Sequence, residues 1–215
     1  MLTVRIEAAL GLGDLADAAR LVDRLLELLG DVAHAAEQDS PRRVIALFYL
    51  ASGQVDTACR FLEQAWAELR ATYPPLASRL VYLQILLAEA QRRSGRPAAA
   101  RRTLCGGFTA ATGRSQFKLT FTGVLEAALI AADLGDEAAS QELALRWDTL
   151  RRELGLPVPI GFADAAARTL GLDPAPPPGP AAGWNPDALY ACTASARVWC
   201  ERTQPEPHRL GQLAH

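Results

Sequence analysis

Four glycines recur along the chain at a nearly constant interval. Gly13, Gly53, Gly95 and Gly135 lie 40, 42 and 40 residues apart. The residue five positions after each glycine is small: Ala18, Ala58, Ala100 and Ser140. A fixed interval of about 20 to 50 residues indicates an array of structural repeats. This interval limits the possible folds more strongly than any other feature of the sequence.

The segments on both sides of each glycine have helical periodicity. Half of the residues are hydrophobic but only 7% are aromatic, and Ala and Leu, which favour helices, predominate. Glycine readily adopts the left-handed backbone that a tight turn between helices needs. A small residue after the turn lets the two helices cross closely. The sequence therefore predicts an all-α solenoid of about four antiparallel helix pairs, with a loose connection at Gly106, Gly107 and Gly113.

The composition divides the chain into four parts. Residues 1–172 are the predicted repeat domain, and residues 173–183 (DPAPPPGPAAG) are a Pro-rich spacer that cannot continue a helix. Residues 184–203 predict one amphipathic helix, and residues 204–215 predict a disordered tail. One face of that helix carries Leu189, Cys192, Ala196 and Trp199. We expect this helix to be detached, or to fold back and occupy the groove of the repeat array as a cap or an intramolecular ligand.

The residues around the turns resemble a known repeat. The matching positions are Ala46, Tyr49, Gly53, Ala58 and Leu62 in the second copy, Leu87, Ala88, Gly95, Ala100 and Leu104 in the third, Ala128 and Gly135 in the fourth, and Gly13, Ala18 and Val22 in the first. The pattern resembles the tetratricopeptide repeat (TPR), although the interval is longer than the usual period of about 34 residues. It is similar to the helical regions of actinobacterial transcription regulators of the MalT/LuxR and antibiotic-regulator types. The resemblance covers about residues 1–155 and implies a right-handed solenoid with a concave face.

The implied concave face carries the candidate binding residues. Counting back from the turn glycines places nine residues there: Arg43, Leu47, Leu50, Tyr82, Glu89, Arg92, Arg93, Leu129 and Asp133. Arg43, Arg92 and Arg93 can bind a carboxylate with paired hydrogen bonds. Alternatively, Arg92 and Arg93 are solvated residues at a helix C-terminus, where positive charge is favourable. We predict a non-catalytic protein- or peptide-binding module, a scaffold or a regulatory protein.

Two other classes of function remain open. An apolar cavity would suit a small hydrophobic ligand, or a substrate of an unusual enzyme in a biosynthetic pathway, with Glu89 or Asp133 as base. The predicted lining is Phe48, Tyr82, Phe117, Phe121 and Trp147. A homodimer that covers the exposed end repeats is the other possibility.

Several site classes are excluded by their missing motifs. The chain has no phosphate-binding GxxxxGK[ST] loop and no dinucleotide-binding glycine fingerprint. His34, His208 and His215 are its only histidines, and they lack metal-ligand spacing, so we predict no metal and no cofactor. With a net charge of −2 and one helix left after the repeats, we expect no autonomous nucleic-acid binding.

The cysteines and the N-terminal sequence indicate the cellular compartment in which we expect the protein. Cys59, Cys105, Cys192 and Cys200 show no CxxC spacing, so we predict four buried reduced thiols in a reducing compartment. Cys192 and Cys200 lie about 12 Å apart along one helix and cannot pair with each other. Arg5 and Glu7 interrupt the N-terminal apolar run, so we expect no signal peptide. Without a long uncharged apolar run, we expect no membrane span and a cytoplasmic protein.

Overall fold

The computed structural model describes residues 1–30, 39–72, 78–110, 119–156, 158–159, 162–173 and 186–202. Its helices are α1 (Leu2–Gly11), α2 (Leu15–Gly30), α3 (Asp39–Ala51), α4 (Val55–Thr72), α5 (Ser78–Arg93), α6 (Pro97–Ala110), α7 (Val124–Asp133), α8 (Glu137–Leu154), α9 (Ala163–Leu170) and α10 (Pro186–Arg202). A π-helical turn, Leu119–Gly123, leads directly into α7. These segments contain no strand, so the all-α prediction is confirmed. None of their helices combines the length and the apolar character needed to cross a membrane.

The four repeat glycines form the same turn. Their φ angles are 73°, 76°, 74° and 77°. In each turn the glycine N–H donates to the carbonyl three residues earlier, and the next N–H donates to the carbonyl five residues earlier; at Gly53 these distances are 3.2 and 2.8 Å. The last carbonyls of each first helix are thereby satisfied. A Cβ atom would meet nothing within 4 Å at any of the four glycines, so the positive φ is what requires glycine.

The small residues after the turns lie where two helices cross. Ala18, Ala58 and Ala100 are completely buried, and Ser140 is nearly so. The Ser140 hydroxyl donates to the carbonyl of Ala128 at 2.9 Å, across the turn between α7 and α8. This contact joins a residue seven positions before Gly135 to one five positions after it, as expected of an antiparallel hairpin. The predicted close crossing is therefore present.

The helix pairs pack against one another in chain order. The pairs are α1–α2, α3–α4, α5–α6 and α7–α8, and the first helices α1, α3, α5 and α7 are neighbours in that order. One hydrophobic cluster lies among α1 to α5, and a second involves α5 to α10. α5 contributes side chains to both clusters, which explains why it is buried on nearly all sides.

Two glycines predicted to form a loose connection are helical instead. Gly106 and Gly107 lie inside α6, and Gly113 lies outside the described residues. A Cβ atom on Gly107 would lie only 3.0 Å from Oε1 of Gln84 on α5. The Gln84 amide donates to the Thr103 carbonyl at 2.7 Å. The Gly-Gly pair therefore permits close approach of two helices.

The C-terminal helix is docked, and the prediction of four reduced cysteines is wrong for two of them. α10 packs across α6 and α8 and also contacts α7. A disulfide joins Cys105 of α6 to Cys200 of α10, with a Cα–Cα distance of 5.4 Å. Cys59 and Cys192 are free and buried, as predicted. The pairing was missed because it depends on where α10 docks. Residues 174–185 before α10 and the tail after Arg202 lie outside the described residues.

Candidate functional site

Residues predicted from different repeats meet where α1, α3 and α5 adjoin. The Arg43 guanidinium of α3 lies 5.3 Å from the centre of the Tyr82 ring on α5. Arg43 also forms an ion pair with Glu7 of α1. Burial raises the pKa of the Tyr82 hydroxyl, although the nearby Arg43 partly opposes this. Arg43 and Tyr82 are only half-buried, so part of this junction is open to solvent.

Arg92 lies at the centre of a second junction, between α5 and α7. It binds three carboxylates, and we call this group the Arg92 cluster: Glu89, Arg92, Glu126 and Asp133. Nε and Nη2 of Arg92 donate to Oε2 of Glu89 at 3.0 and 2.6 Å. Nε also donates to Oε1 of Glu126 at 3.1 Å, and Nη1 to Oδ2 of Asp133 at 3.2 Å. The Arg92 donors are therefore used within the protein, where they link α5 to α7.

Glu126 is the most unusual member of the Arg92 cluster. It is completely buried, and Oε2 has no hydrogen-bond partner among the described residues. Burial, followed by the neighbouring Glu89, raises the pKa of Glu126 well above its ordinary value, while Arg92 opposes the change. The protonated, uncharged form of Glu126 is thus favoured.

The pKa of Arg92 is raised as well. Burial alone would lower it, but Glu126, Glu89 and Asp133 together outweigh that effect. The Arg92 guanidinium therefore remains charged inside the protein, where its carboxylate partners compensate for the lost hydration.

The other predicted residues differ in their accessibility. Leu47, Leu50 and Leu129 are buried within the hydrophobic clusters. Arg93 is exposed, and its ion pair with Oε1 of Glu89 is long, at 4.0 Å. The Asp133 side chain is 36% exposed. The part of the predicted face that solvent reaches is therefore Arg93 and Asp133, together with half-buried Arg43 and Tyr82.

The aromatic residues predicted to line one cavity are divided between the two hydrophobic clusters. Phe48 and Tyr82 belong to the cluster among α1 to α5. Phe121 and Trp147 belong to the other cluster, with ring centroids 5.5 Å apart, and the Trp147 indole N–H donates to the Phe121 carbonyl. Phe117 lies outside the described residues. The four described aromatics therefore fill the cores and do not form a common pocket.

A groove that the sequence did not predict lies between α8 and α10. Its volume is about 530 Å³, and its walls include Leu143, Val198 and several alanines. The Glu142–Arg146 ion pair, with a distance of 3.1 Å, lies along it. The position of this groove depends on the docking of α10, which sequence periodicity does not determine.

The end of α10 is held by polar contacts that were also missed. The Trp199 indole N–H donates to Oδ2 of Asp136 at 3.3 Å, while Oδ1 of Asp136 caps α8 by accepting from the Ala139 N–H. The Arg101 guanidinium lies 4.9 Å from the centre of the Trp199 ring. It also donates to the carbonyls of Trp199 and Cys200, both at 3.5 Å.

No group of three or more His, Cys, Asp or Glu side chains suited to a metal ion occurs in the described segments. His34, His208 and His215 lie outside those segments. No protein family, curated protein or solved structure matches the chain. A proposal for function therefore depends on the residues of this chain alone.

Proposed function

We propose that this chain is a non-catalytic protein- or peptide-binding module, a scaffold or regulatory protein that binds its partner on the face formed by α1, α3, α5 and α7. The observation that carries the proposal is contact between predicted residues of different repeats. Arg43 lies 5.3 Å from the Tyr82 ring, and Arg92 binds Asp133 at 3.2 Å. These contacts bring residues of three repeats together on adjacent first helices, which supports the proposal because extended surfaces of helical arrays are suited to binding peptide segments.

The architecture we propose is a right-handed TPR-like solenoid. Three observations support it: the identical glycine turns, the buried small residue at each hairpin crossing, and the order in which the first helices adjoin. The relation to actinobacterial regulators of the MalT/LuxR and antibiotic-regulator types is supported by the sequence pattern alone. A cytoplasmic location is likewise a proposal.

The partner chemistry follows from the accessible charges. Arg92 is committed to the carboxylates of Glu89, Glu126 and Asp133. Arg93 is exposed, and its Glu89 partner is 4.0 Å away, so it has donors to offer. A guanidinium binds a carboxylate with two parallel hydrogen bonds. We therefore propose a peptide that carries an acidic side chain or a free C-terminal carboxylate.

Selection from a random displayed peptide library tests this proposal. We expect binders rich in Asp or Glu, or dependent on a free C-terminus. In fluorescence anisotropy titrations, Arg93→Ala should weaken binding about tenfold, the loss expected for one charge-assisted contact. Arg24→Ala is the matched control, because Arg24 is also exposed but lies on α2 and pairs with Glu27. Arg92→Ala is unsuitable here, since it would leave buried carboxylates without a counterion.

Two results would argue against the proposal. Selected peptides whose affinity is unchanged by Arg93→Ala would place binding elsewhere. A small molecule retained in native mass spectrometry of the purified chain, with no peptide binding, would favour the alternative of a small hydrophobic ligand or substrate. The same mass measurement detects a homodimer.

A further inference from the structure

α10 packs against α6 and α8 along one face. Its buried face carries Cys192, Ala196, Trp199 and Cys200, which lie against α6 and α8. These residues follow the helical spacing of a single stripe. The only covalent link between α10 and the packed helices, apart from the backbone, is the Cys105–Cys200 bond within the described residues.

Three side chains, those of Arg101, Asp136 and Trp199, reinforce this link. Arg101 is one helical turn before Cys105 on α6, and it contacts both the ring and the carbonyl of Trp199. Asp136 accepts a hydrogen bond from the Trp199 indole N–H. The C-terminal turn of α10 is therefore held to both α6 and α8. We call this arrangement the α10 latch: the Cys105–Cys200 disulfide with Arg101, Asp136 and Trp199.

We propose that the α10 latch is a redox switch: a thiol reductant breaks the Cys105–Cys200 bond, and α10 then leaves the surface of α6 and α8. This surface lies mainly on second helices of the repeats, whereas the proposed peptide site lies on the first helices. The released state exposes the apolar side chains that α10 covers, including Leu143 of α8.

The chemical step is an ordinary thiol–disulfide exchange. A reductant thiolate attacks Sγ of Cys200, the S–S bond breaks, and Cys105 leaves as a thiolate that takes up a proton. A second reductant thiol then attacks the mixed disulfide and releases Cys200 as a thiol. The protein gains two electrons and two protons, and the reductant becomes a disulfide. In a reducing compartment this exchange favours the reduced cysteines and the released α10. Oxidising conditions would form the Cys105–Cys200 bond and hold α10 in place.

The reductant can reach the bond by local opening. Both cysteines are nearly buried in the docked state. Cys200 is in the last turn of α10, however, and the next residues, Glu201 and Arg202, are exposed. The ends of helices open with small free-energy cost compared with their centres. Opening of this one turn presents the Cys200 sulfur without unfolding the repeats.

The two free cysteines can show whether α10 leaves the surface: Cys192 reports its departure, and Cys59 is the control. Cys192 is on the buried face of α10, where burial raises the pKa of its thiol to about 12 and so keeps it unreactive. Cys59 lies on α4, in the other hydrophobic cluster, away from α10. Departure of α10 uncovers Cys192 but not Cys59.

The test uses the full chain, oxidised or treated with dithiothreitol. Hydrogen exchange of α10 and alkylation of Cys192 by iodoacetamide are followed by mass spectrometry. We expect both rates to rise at least about tenfold on reduction, with Cys59 unchanged. Cys200→Ser, and separately Cys105→Ser, should resemble the reduced protein whether or not reductant is present. Cys59→Ser should retain the full response.

Three outcomes would overturn the proposal. In the first, thiol titration still finds four free thiols after the protein has been treated with oxidised glutathione, so the Cys105–Cys200 bond does not form. In the second, α10 exchanges equally slowly in both redox states, so the bond does not control docking. In the third, Cys59 becomes reactive together with Cys192, so reduction unfolds the whole chain and does not release one helix.

Discussion

Oε1 of Glu126 accepts a hydrogen bond of 3.1 Å from Nε of Arg92, 34 positions away in the sequence, and both side chains are buried. This bond joins α7 to α5. The second carboxyl oxygen of Glu126 has no partner in the described part of the chain, and Glu89 lies beside the pair. The junction therefore contains a titratable group whose charged form is poorly compensated.

The first prediction concerns the pH dependence of stability. Burial, and then Glu89, raise the pKa of Glu126 in the folded protein above its unfolded value. Its contribution to stability is therefore fully present below the unfolded pKa and is lost as the pH rises through the folded pKa. Glu126→Gln cannot lose a proton, so its free energy of unfolding should fall less as pH rises. Urea unfolding at a series of pH values measures this difference.

The control for that experiment is Glu142→Gln. Glu142 is an exposed carboxylate on α8, paired with Arg146 at the surface. The Glu142→Gln variant should show the same pH dependence of the free energy of unfolding as the wild type. Equal pH dependence of the wild type and Glu126→Gln would show that Glu126 does not titrate differently in the folded state.

The second prediction concerns a buried arginine on α8. The Arg151 side chain is 1% exposed and donates to Oδ1 of Asp148 at 2.7 Å. Asp148→Asn would remove this carboxylate from beside a buried cation, which should lower the free energy of unfolding by about 3 kcal/mol. Arg152 binds the same carboxylate from an exposed position, so Arg152→Ala should cost much less than Asp148→Asn. Equal losses from the two variants would contradict a structural role for Arg151.

Asp148 also makes stability sensitive to acid. Burial acts to raise its pKa, but hydrogen bonds from Arg152 and Arg151 outweigh burial and lower it. The stability that Asp148 supplies is present above the unfolded pKa and is lost as the pH falls through the folded pKa. Asp148→Asn should therefore show less acid destabilisation than the wild type in thermal unfolding followed by circular dichroism.

The third prediction distinguishes two roles of glycine. Gly95 has a φ of 74° and open space around it, so Gly95→Ala should cost about 1 kcal/mol through backbone strain. Gly107 is helical, and an added Cβ would lie 3.0 Å from Oε1 of Gln84. Gly107→Ala should therefore destabilise the wild type but stabilise a Gln84→Ala background by up to about 1 kcal/mol, through higher helix propensity.

A double-mutant cycle measured by urea unfolding tests that difference. Gly95→Ala in the Gln84→Ala background should cost as much as it does alone, since Gln84 does not touch Gly95. If Gly107→Ala has the same effect in both backgrounds, the contact with Gln84 does not explain why glycine is present.

The helices and their turns were predictable because their causes are local. The glycine interval, the residue at the crossing and the apolar stripes are all read within one repeat, and the turns at Gly53 and Gly95 have the predicted form. The Cys105–Cys200 bond was not predictable, because it joins positions 95 residues apart across a Pro-rich segment. A sequence signal for the Arg92 cluster does exist: Glu126 is the only charged residue in the apolar run 124–132. Its partners, however, depend on how α7 packs against α5.

The fourth prediction tests the hairpin crossing where the repeat pattern departs from alanine. Ser140 is nearly buried, and its hydroxyl donates to the Ala128 carbonyl at 2.9 Å. Ser140→Ala should change the free energy of unfolding by less than about 1 kcal/mol, since the lost hydrogen bond is offset by the higher helix propensity of alanine. Ser140→Val should cost about 2 kcal/mol or more, because the larger side chain forces the two helices apart. Gln141→Val, at an exposed neighbouring position, should cost only the difference in helix propensity, about 0.5 kcal/mol. Urea unfolding of the three variants measures these differences, and equal costs at positions 140 and 141 would mean that the crossing does not require a small residue.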